Sequence, residues 1–339
     1  MAPTMKDSGV PERAGLPDDA SPPLLSVVVP MYNEESMIEA FFAELCPCLQ
    51  RIGPDWEIIC INDGSRDRTL ELLLRQSEAD GRIKVLDLSR NFGKEAALSA
   101  GLEWSTGRAV VPMDVDLQDP PQLLGAMLEK WREGYEVVYA RRVARRSDSP
   151  GKRVRARTFY RLYNRLSKVV IPPDVGDFRL MDRVVVDVIA ALPERNRFMK
   201  GLFAWAGFRS TAVDYERAPR RRGVSKWNYW TLWNFALEGI TSFSTVPLRI
   251  WTYAGGLVAM VTALYALLMV TRTLLLGVDV PGYASLIVAV LFLGSVQLVS
   301  LGILGEYIGR IYLEVKRRPV YVVRQHHGFA TRPRPRPTA

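Results

Sequence analysis

Val110-Val111-Pro112-Met113-Asp114-Val115-Asp116-Leu117-Gln118-Asp119-Pro120-Pro121 is an apolar strand that ends in two carboxylates one residue apart, then an amide, then a proline pair that opens a helix. Carboxylates at i and i+2 on a strand end can both be turned onto one hard cation. Mg²⁺ or Mn²⁺ takes such oxygen ligands and keeps open positions for phosphate oxygens. That arrangement suits an enzyme that holds a nucleotide diphosphate while it leaves. The plainer reading of Asp-x-Asp alone is a solvated acidic loop between strand and helix.

Outward from this run, strand and helix alternate. Apolar runs at Leu24–Val29, Ile58–Ile61, Lys84–Leu88, Ala109–Met113 and Glu136–Ala140 are separated by helical patterns at Glu35–Leu49, Thr69–Ser77, Lys94–Ser105 and Gln122–Glu133. Short β-rich runs alternating with helices predict an α/β domain with a mainly parallel sheet covered on both faces. Ligands of such sheets sit at the carboxyl ends of the strands. The polar motifs fall there: Pro30-Met31-Tyr32-Asn33-Glu34-Glu35, Asn62-Asp63-Gly64-Ser65, Asn91-Phe92-Gly93-Lys94, and the Asp114/Asp116 pair. Asn-Asp-Gly-Ser by itself is a common turn; four polar motifs on one rim are harder to explain as turns.

The 339 residues leave room beyond this domain. Trp251 to Leu276 is apolar apart from threonines and Arg272, and Tyr283 to Gly305 carries no charge. Each is long enough to cross a hydrocarbon core of about 30 Å at about 1.5 Å per residue. Buried core helices are the alternative, but two in tandem with a short link predict a transmembrane hairpin. Arg249 precedes the first, Arg310, Lys316, Arg317 and Arg318 follow the second, and the link holds only Asp279. The positive-inside rule then places both termini and the large N-terminal region in the cytoplasm.

Scarcity narrows the chemistry. Three cysteines (Cys46, Cys48, Cys60) and two histidines (His326, His327) allow no zinc site of usual spacing, no disulfide framework and no histidine-based nucleophile activation. Cys46-Pro47-Cys48 reads as helix-face packing. Residues 1–24, rich in Pro and Asp, and the Arg-Pro alternation at Arg332–Pro337 read as disordered. Ten Lys or Arg and one acid, Asp148, lie between Arg141 and Arg165. This run is a solvated basic face, a nucleic-acid contact, or a segment that recruits anionic lipid headgroups and closes over a ligand. Beside a membrane hairpin the last reading fits best, and no nucleic-acid reading module is present. Trp227, Tyr229, Trp230, Trp233 and Phe235 predict a helix lying in the membrane interface.

The motifs together closely resemble the polyprenyl-phosphate glycosyltransferases, the membrane-anchored branch of the family-2 GT-A glycosyltransferases. That branch includes bactoprenol glucosyl transferases, dolichyl-phosphate mannose synthases and the undecaprenyl-phosphate aminoarabinose transferase. The resemblance runs from about Leu25 to Val323. It also draws on Gly176-Asp177-Phe178-Arg179-Leu180, Arg197-Phe198-Met199-Lys200-Gly201, Arg220-x-x-Gly223-x-Ser225-Lys226 and Gly302 to Arg310. One departure is Asn62, where many relatives carry a first Asp.

The resemblance implies a Rossmann-like GT-A domain at 25–225, interfacial helices at 226–247, two transmembrane helices within 248–309 and a basic cytoplasmic tail at 310–339. It implies a nucleotide pocket of Pro30, Tyr32, Glu34, Asp63 and Lys94, with Asp114 shared between nucleotide and metal. Asp114, Asp116 and Gln118 would hold Mg²⁺ or Mn²⁺ and the diphosphate. Arg142, Arg220, Ser225 and Lys226 would meet the acceptor or donor phosphates, and Asp177 would be catalytic; a structural acid paired with Arg179 is the alternative. The Asn91–Lys94 form resembles the UDP-sugar enzymes rather than those using GDP-mannose. A homo-tetramer in a bacterial cytoplasmic membrane, serving cell-envelope glycans, is implied by resemblance alone.

The residues suit that reaction. A diphosphate leaving group is helped by a divalent cation without a proton donor. An acceptor phosphate with a second pKa of about 6 is already largely anionic at neutral pH, so no histidine base is needed. A processive polysaccharide synthase would carry Gln-x-x-Arg-Trp after the acidic pair, and none is present. A non-catalytic lipid carrier or flippase is the rival of another class, poorly served by spans without a charge at mid-membrane.

Overall fold

A computed structural model of the chain describes residues 21–144, 175–195, 197–216, individual positions between 253 and 275, and 282–329. The first half alternates as the sequence predicts: β1 (Leu25–Met31), α1 (Ile38–Ile52), β2 (Trp56–Asn62), α2 (Thr69–Ala79), β3 (Ile83–Leu88), α3 (Lys94–Trp104), β4 (Ala109–Pro112), α4 (Leu123–Arg132) and β5 (Val137–Ala144). After 174 come β6 (Val175–Asp182), α5 (Arg183–Ala191), α6 (Met199–Trp205), β7 (Ser210–Glu216), α7 (Tyr283–Val315) and β8 (Val323–His327).

The strands form one sheet in the order β7-β5-β6-β4-β1-β2-β3-β8. β1 runs parallel to both β2 and β4, and β2 parallel to β3. Buried on both faces, these strands read as continuous apolar runs rather than alternating ones. One face packs Ile38, Phe41, Leu45 and Leu49 of α1 with Leu124 and Met127 of α4. Their spacing of three or four residues gives each helix one apolar stripe. The other face packs Leu98 and Leu102 of α3 against Val28, Ile59 and Ile61. Cys48 is buried on α1 and Cys46 half-buried, consistent with helix-face packing.

Small residues let α3 sit very close to the sheet. A Cβ added at Gly101 would lie 2.2 Å from Val28 Cγ1 and 2.7 Å from Ile61 Cδ1, so any larger residue would lift the helix away. That contact fixes the height of the helix, and with it the position of Lys94 at its first residue, over the carboxyl ends of the strands.

Two features differ from the sequence reading. The sheet is mixed, because β6 enters antiparallel between β4 and β5, while β7 pairs parallel to β5. Asp177 therefore lies on a strand that the sequence reading did not place. The strand signal is hidden because Arg179, between Phe178 and Leu180, is also buried, at 3% exposure. The second difference is β8. Residues assigned to a C-terminal tail return from α7 and pair antiparallel with β3 at the sheet edge.

Helix α7 has 33 residues, roughly 50 Å at about 1.5 Å each. Among the described residues one helix segment, Phe292–Val315, is long and apolar enough to cross a membrane, and none of it is buried. The described positions between 253 and 275 are helical; the whole of the expected interfacial stretch and much of the first expected span lie outside the described residues. At its lower end α7 is joined to the domain: both Glu314 carboxylate oxygens accept the Arg195 N–H, at 2.9 and 3.1 Å, and Tyr321 Oη donates to Glu103 Oε2 at 2.5 Å.

Candidate active site

The loops at the carboxyl ends of β1, β2, β3 and β4 each contain a left-handed residue: Asn33, Gly64, Gly93 and Leu117, with φ of 53°, 66°, 96° and 54°. Non-glycine residues held there cost on the order of 1 kcal/mol and cluster at functional sites. The loops are stitched to one another. Asn33 N–H donates to Ser65 Oγ at 3.0 Å, Arg66 N–H to Asn33 Oδ1 at 2.8 Å, and Glu34 N–H to Thr69 Oγ1 at 2.9 Å. Gly64 is required by contact as well as by φ, because a Cβ would meet Arg90 C at 2.5 Å.

Asp63 is buried, and its two oxygens accept the N–H groups of Phe92 and Gly93 at 2.7 and 2.9 Å. Burial raises its pKa, with the two amides pulling back. Its visible work is to hold the Asn91–Lys94 loop. Asn62 donates from Nδ2 to Asp87 Oδ1 at 2.7 Å. Beside them lies a cavity of about 320 Å³, lined by residues that include Tyr32, Asn62, Ser65, Asp87, Asn91 and Arg324.

Next along the rim is a charged cluster. Lys94 Nζ stands 2.7 Å from Asp114 Oδ1 and 3.0 Å from Asp177 Oδ2, with Lys200 Nζ 4.0 Å from Asp177 Oδ1. Burial opposes charge on Lys94, but Asp177 and Asp114 outweigh it and raise its pKa. Burial opposes charge on Asp177 too; Lys94, Lys200 and Arg179 overcome it and hold the carboxyl well below the usual range. Asp114 is shifted up, by burial and by Asp177 and Asp116, against the pull of Lys94. Glu95, half-buried, is pushed up to about 8 by desolvation and by the Asp177 charge. The hydrogen-bonded partner of Asp177 is thus Lys94, whereas Arg179 donates to the Gly176 carbonyl at 2.7 Å.

Asp116 Oδ1 accepts the Gln118 N–H at 3.2 Å, and the Gln118 side chain is buried. Among the described residues no group of three or more His, Cys, Asp or Glu gathers as a metal cage. The donor set still fits a hard divalent cation. It is all oxygen, and it already holds one cationic group, the Lys94 ammonium, between two carboxylates.

Behind the cluster, Tyr215 Oη donates to Asp119 Oδ1, and Arg142 Nε donates to Tyr215 Oη at 3.0 Å. Arg142 also lies 3.7 Å from Asp119 and against Gly176, where a Cβ would come 3.3 Å from its NH2. So the visible partners of Arg142, expected at a phosphate, are Tyr215 and Asp119, with its guanidinium beside Gly176. Lys94, Asp114 and Asp177 are brought together, and Tyr32 lines the neighbouring cavity, with Pro30 near the end of β1 and Glu34 on the loop that follows. Arg220, Ser225 and Lys226 lie outside the described residues. Sequence reasoning assigned no role to Glu95, Lys200 and Asp119, although Lys200 and Asp119 stood inside quoted motifs. It also missed Asp87, Tyr215 and Arg324, which carry no motif.

Two family descriptions match: "Glycosyl transferase family 2" over residues 26–189 and "GtrB C-terminal hairpin" over residues 246–311. An uncharacterised glycosyltransferase of Synechocystis sp. is 55% identical over 88% of this chain and 94% of its own. The SfII prophage-derived bactoprenol glucosyl transferase of Shigella flexneri is 50% identical over 89% of this chain and 98% of its own. The chain belongs to glycosyl transferase family 2. This glycosyltransferase carries the GT-A fold in its mixed-sheet form, and family membership displaces the rival reading of a non-catalytic carrier. Mannosyl-3-phosphoglycerate synthase from Rubrobacter xylanophilus is a more distant structural likeness, 19% identical over 68% of this chain and 75% of that one, with a TM-score of 0.47.

Proposed function

We propose that this glycosyltransferase moves a sugar, glucose or a related hexose, from a UDP-sugar to polyprenyl phosphate at the cytoplasmic face of a bacterial membrane, with inversion. The observation that carries the reading is the meeting of Asp114, Lys94 and Asp177 on the open rim, beside a cavity of nucleoside size. Relatives named bactoprenol glucosyl transferases, matched over nearly their whole length, support the lipid acceptor. The apolar helix α7 and the match to a C-terminal hairpin support membrane anchoring by two helices, with both termini cytoplasmic. A homo-oligomer remains part of the reading through the resemblance alone.

In the reaction, an acceptor phosphate oxygen attacks the anomeric carbon, the bond to the UDP oxygen breaks, and UDP departs with the electron pair. Asp114 and Asp116, with Gln118 orienting, would hold Mg²⁺ or Mn²⁺, which supplies Lewis-acid neutralisation of the departing diphosphate. Lys94 adds a fixed positive charge to the same place. Asp177, held ionised by two lysines, is a weak proton acceptor and acts by orienting Lys94 and the developing positive charge on the sugar. A strong base is unnecessary, because the acceptor is already anionic with a second pKa of about 6. Arg220, Ser225 and Lys226, in the segment leading to the membrane, would receive the lipid phosphate.

The direct test is incubation of the purified full-length protein with undecaprenyl phosphate and a panel of UDP-hexoses. The reading expects one UDP-hexose to be consumed with formation of an acid-labile lipid-linked sugar. Consumption of none of the panel, or transfer to water alone, would refute it.

A further inference from the structure

Strand β8 does more than close the sheet edge. Its pairing with β3 steps from Asp87↔Gln325 to Leu88↔Val323, so Arg324 is an extra residue opposite no partner. Such a bulge breaks the alternation of the strand and re-aims the side chain it carries. Here it turns Arg324 over the end of β3. Its NH2 donates to the Ser89 carbonyl at 2.7 Å, and its NH1 lies 3.6 Å from Asp87 Oδ2.

Asp87 makes this placement purposeful. Its carboxylate is 1% exposed, Oδ1 accepts from Asn62, and Oδ2 accepts no hydrogen bond among the described residues. A buried carboxylate oxygen without a hydrogen bond is costly, and the Arg324 charge is what compensates it. The pair fixes two polar groups of the cavity at once. Asn62 cannot flip, since its Nδ2 is given to Asp87 and its Oδ1 accepts the Ser65 N–H at 3.3 Å. The guanidinium, with five N–H donors and no acceptor, is anchored on one side by Ser89 and Asp87. It lines the cavity from the other side, its side chain 56% exposed.

We infer that Arg324 is a donor-pocket residue that reads the nucleobase at pyrimidine C4, where uracil carries a carbonyl and cytosine an amino group. A guanidinium edge donates to a carbonyl oxygen and is mismatched to an amino group, which presents donors of its own. The pocket therefore favours an oxo base such as uracil over its amino counterpart cytosine. Nothing between the two demands a change of shape, so the discrimination lies in hydrogen-bond polarity. The inference rests on the UDP-sugar reading above. It also makes donor affinity depend on a strand that the chain lays down only after the long apolar helix.

Binding of UDP and of CDP to the detergent-solubilised full-length protein, measured by calorimetry, tests it. UDP is expected to bind more tightly than CDP. Arg324→Met, which keeps length and removes every donor, should weaken UDP about tenfold or more and CDP much less, the scale of one charge-assisted hydrogen bond. Arg324→Gln, which retains two donors and serves if the methionine variant fails to fold, should show an intermediate loss in the same direction. Unchanged UDP affinity in either folded variant overturns the role of Arg324. Equal losses of UDP and CDP overturn the specificity and leave Arg324 a structural residue. A wild-type protein that binds no UDP overturns the donor reading itself, and is distinguishable because it precedes any substitution.

Discussion

The two rims of one sheet treat their carboxylates in opposite ways. At the amino ends of β1 and β2, Glu57 is 2% exposed and saturated. Its Oε1 accepts from Ser26 Oγ at 2.5 Å, Thr106 N–H at 2.7 Å and Thr106 Oγ1 at 2.9 Å, and its Oε2 from Lys84 Nζ at 2.7 Å. At the carboxyl ends, Asp114 is 40% exposed and shares one lysine with Asp177. An acid kept for the fold is sealed and fully hydrogen-bonded. Acids kept for a reaction stay open to a ligand, crowd one another, and rely on a lysine that a substrate can reach.

The sharpest way to break this contrast is to remove charge from the open rim. Asp116→Asn keeps size and deletes an anionic oxygen, so transfer should fall by about a thousandfold, the upper scale for loss of one transition-state contact. The melting temperature should move by no more than about 2 °C, as for a substitution outside the core. EDTA should abolish wild-type transfer, and Mg²⁺ or Mn²⁺ should restore it. Full turnover in EDTA would remove the metal from the site.

Asp177→Asn should have the next largest effect. It leaves Lys94 with one carboxylate instead of two, and kcat should fall by about a hundredfold. UDP affinity should stay within about threefold, because the base cavity and Asp116 are untouched. Coupled loss of melting temperature and donor affinity would instead mark Asp177 as structural. A well-folded variant with near-normal kcat would end its catalytic role.

The open rim was the more legible of the two in sequence, for a physical reason. Its residues follow strand ends, so Asn62, Asp63, Lys94 and Asp114 announce themselves by position after an apolar run. The first four strands and helices were legible within a few residues for the same cause: burial on both faces leaves unbroken apolar runs. What stayed hidden depends on contacts distant in sequence. β6 was masked by the buried Arg179, whose guanidinium stacks 4.3 Å over the Phe203 ring, a contact distant in sequence. Tyr215 meets Asp119 across 96 positions, and Arg324 meets Ser89 across 235. No local period carries such pairs. Glu57 reads as an ordinary strand residue until Lys84 and Thr106 are seen around it.

Glu57 therefore gives the complementary test, with the smallest expected effect on catalysis. Burial alone would raise its pKa; the charge and hydrogen bond of Lys84, with the hydrogen bonds from Ser26 and Thr106, overcome that and lower it below the ordinary carboxylate value. A group whose folded pKa is depressed stabilises the fold above its unfolded pKa and loses that contribution as pH falls through the folded one. Glu57→Gln should thus cost about 2 kcal/mol at neutral pH, the scale of a charge-assisted hydrogen bond. In a protein of this size that is a loss of roughly 4–8 °C in melting temperature. The gap between wild type and variant should persist down to about pH 5, shrink below the ordinary carboxylate pKa of about 4.3, where the unfolded chain takes up the proton first, and close as pH falls through the lower folded pKa. Turnover per folded molecule at neutral pH should be unchanged within about twofold, since Glu57 sits at the far end of β2 from Lys94 and Asp114. A variant that kept its melting temperature and lost turnover would show that the sealed rim also serves the reaction, and the contrast between the rims would fail.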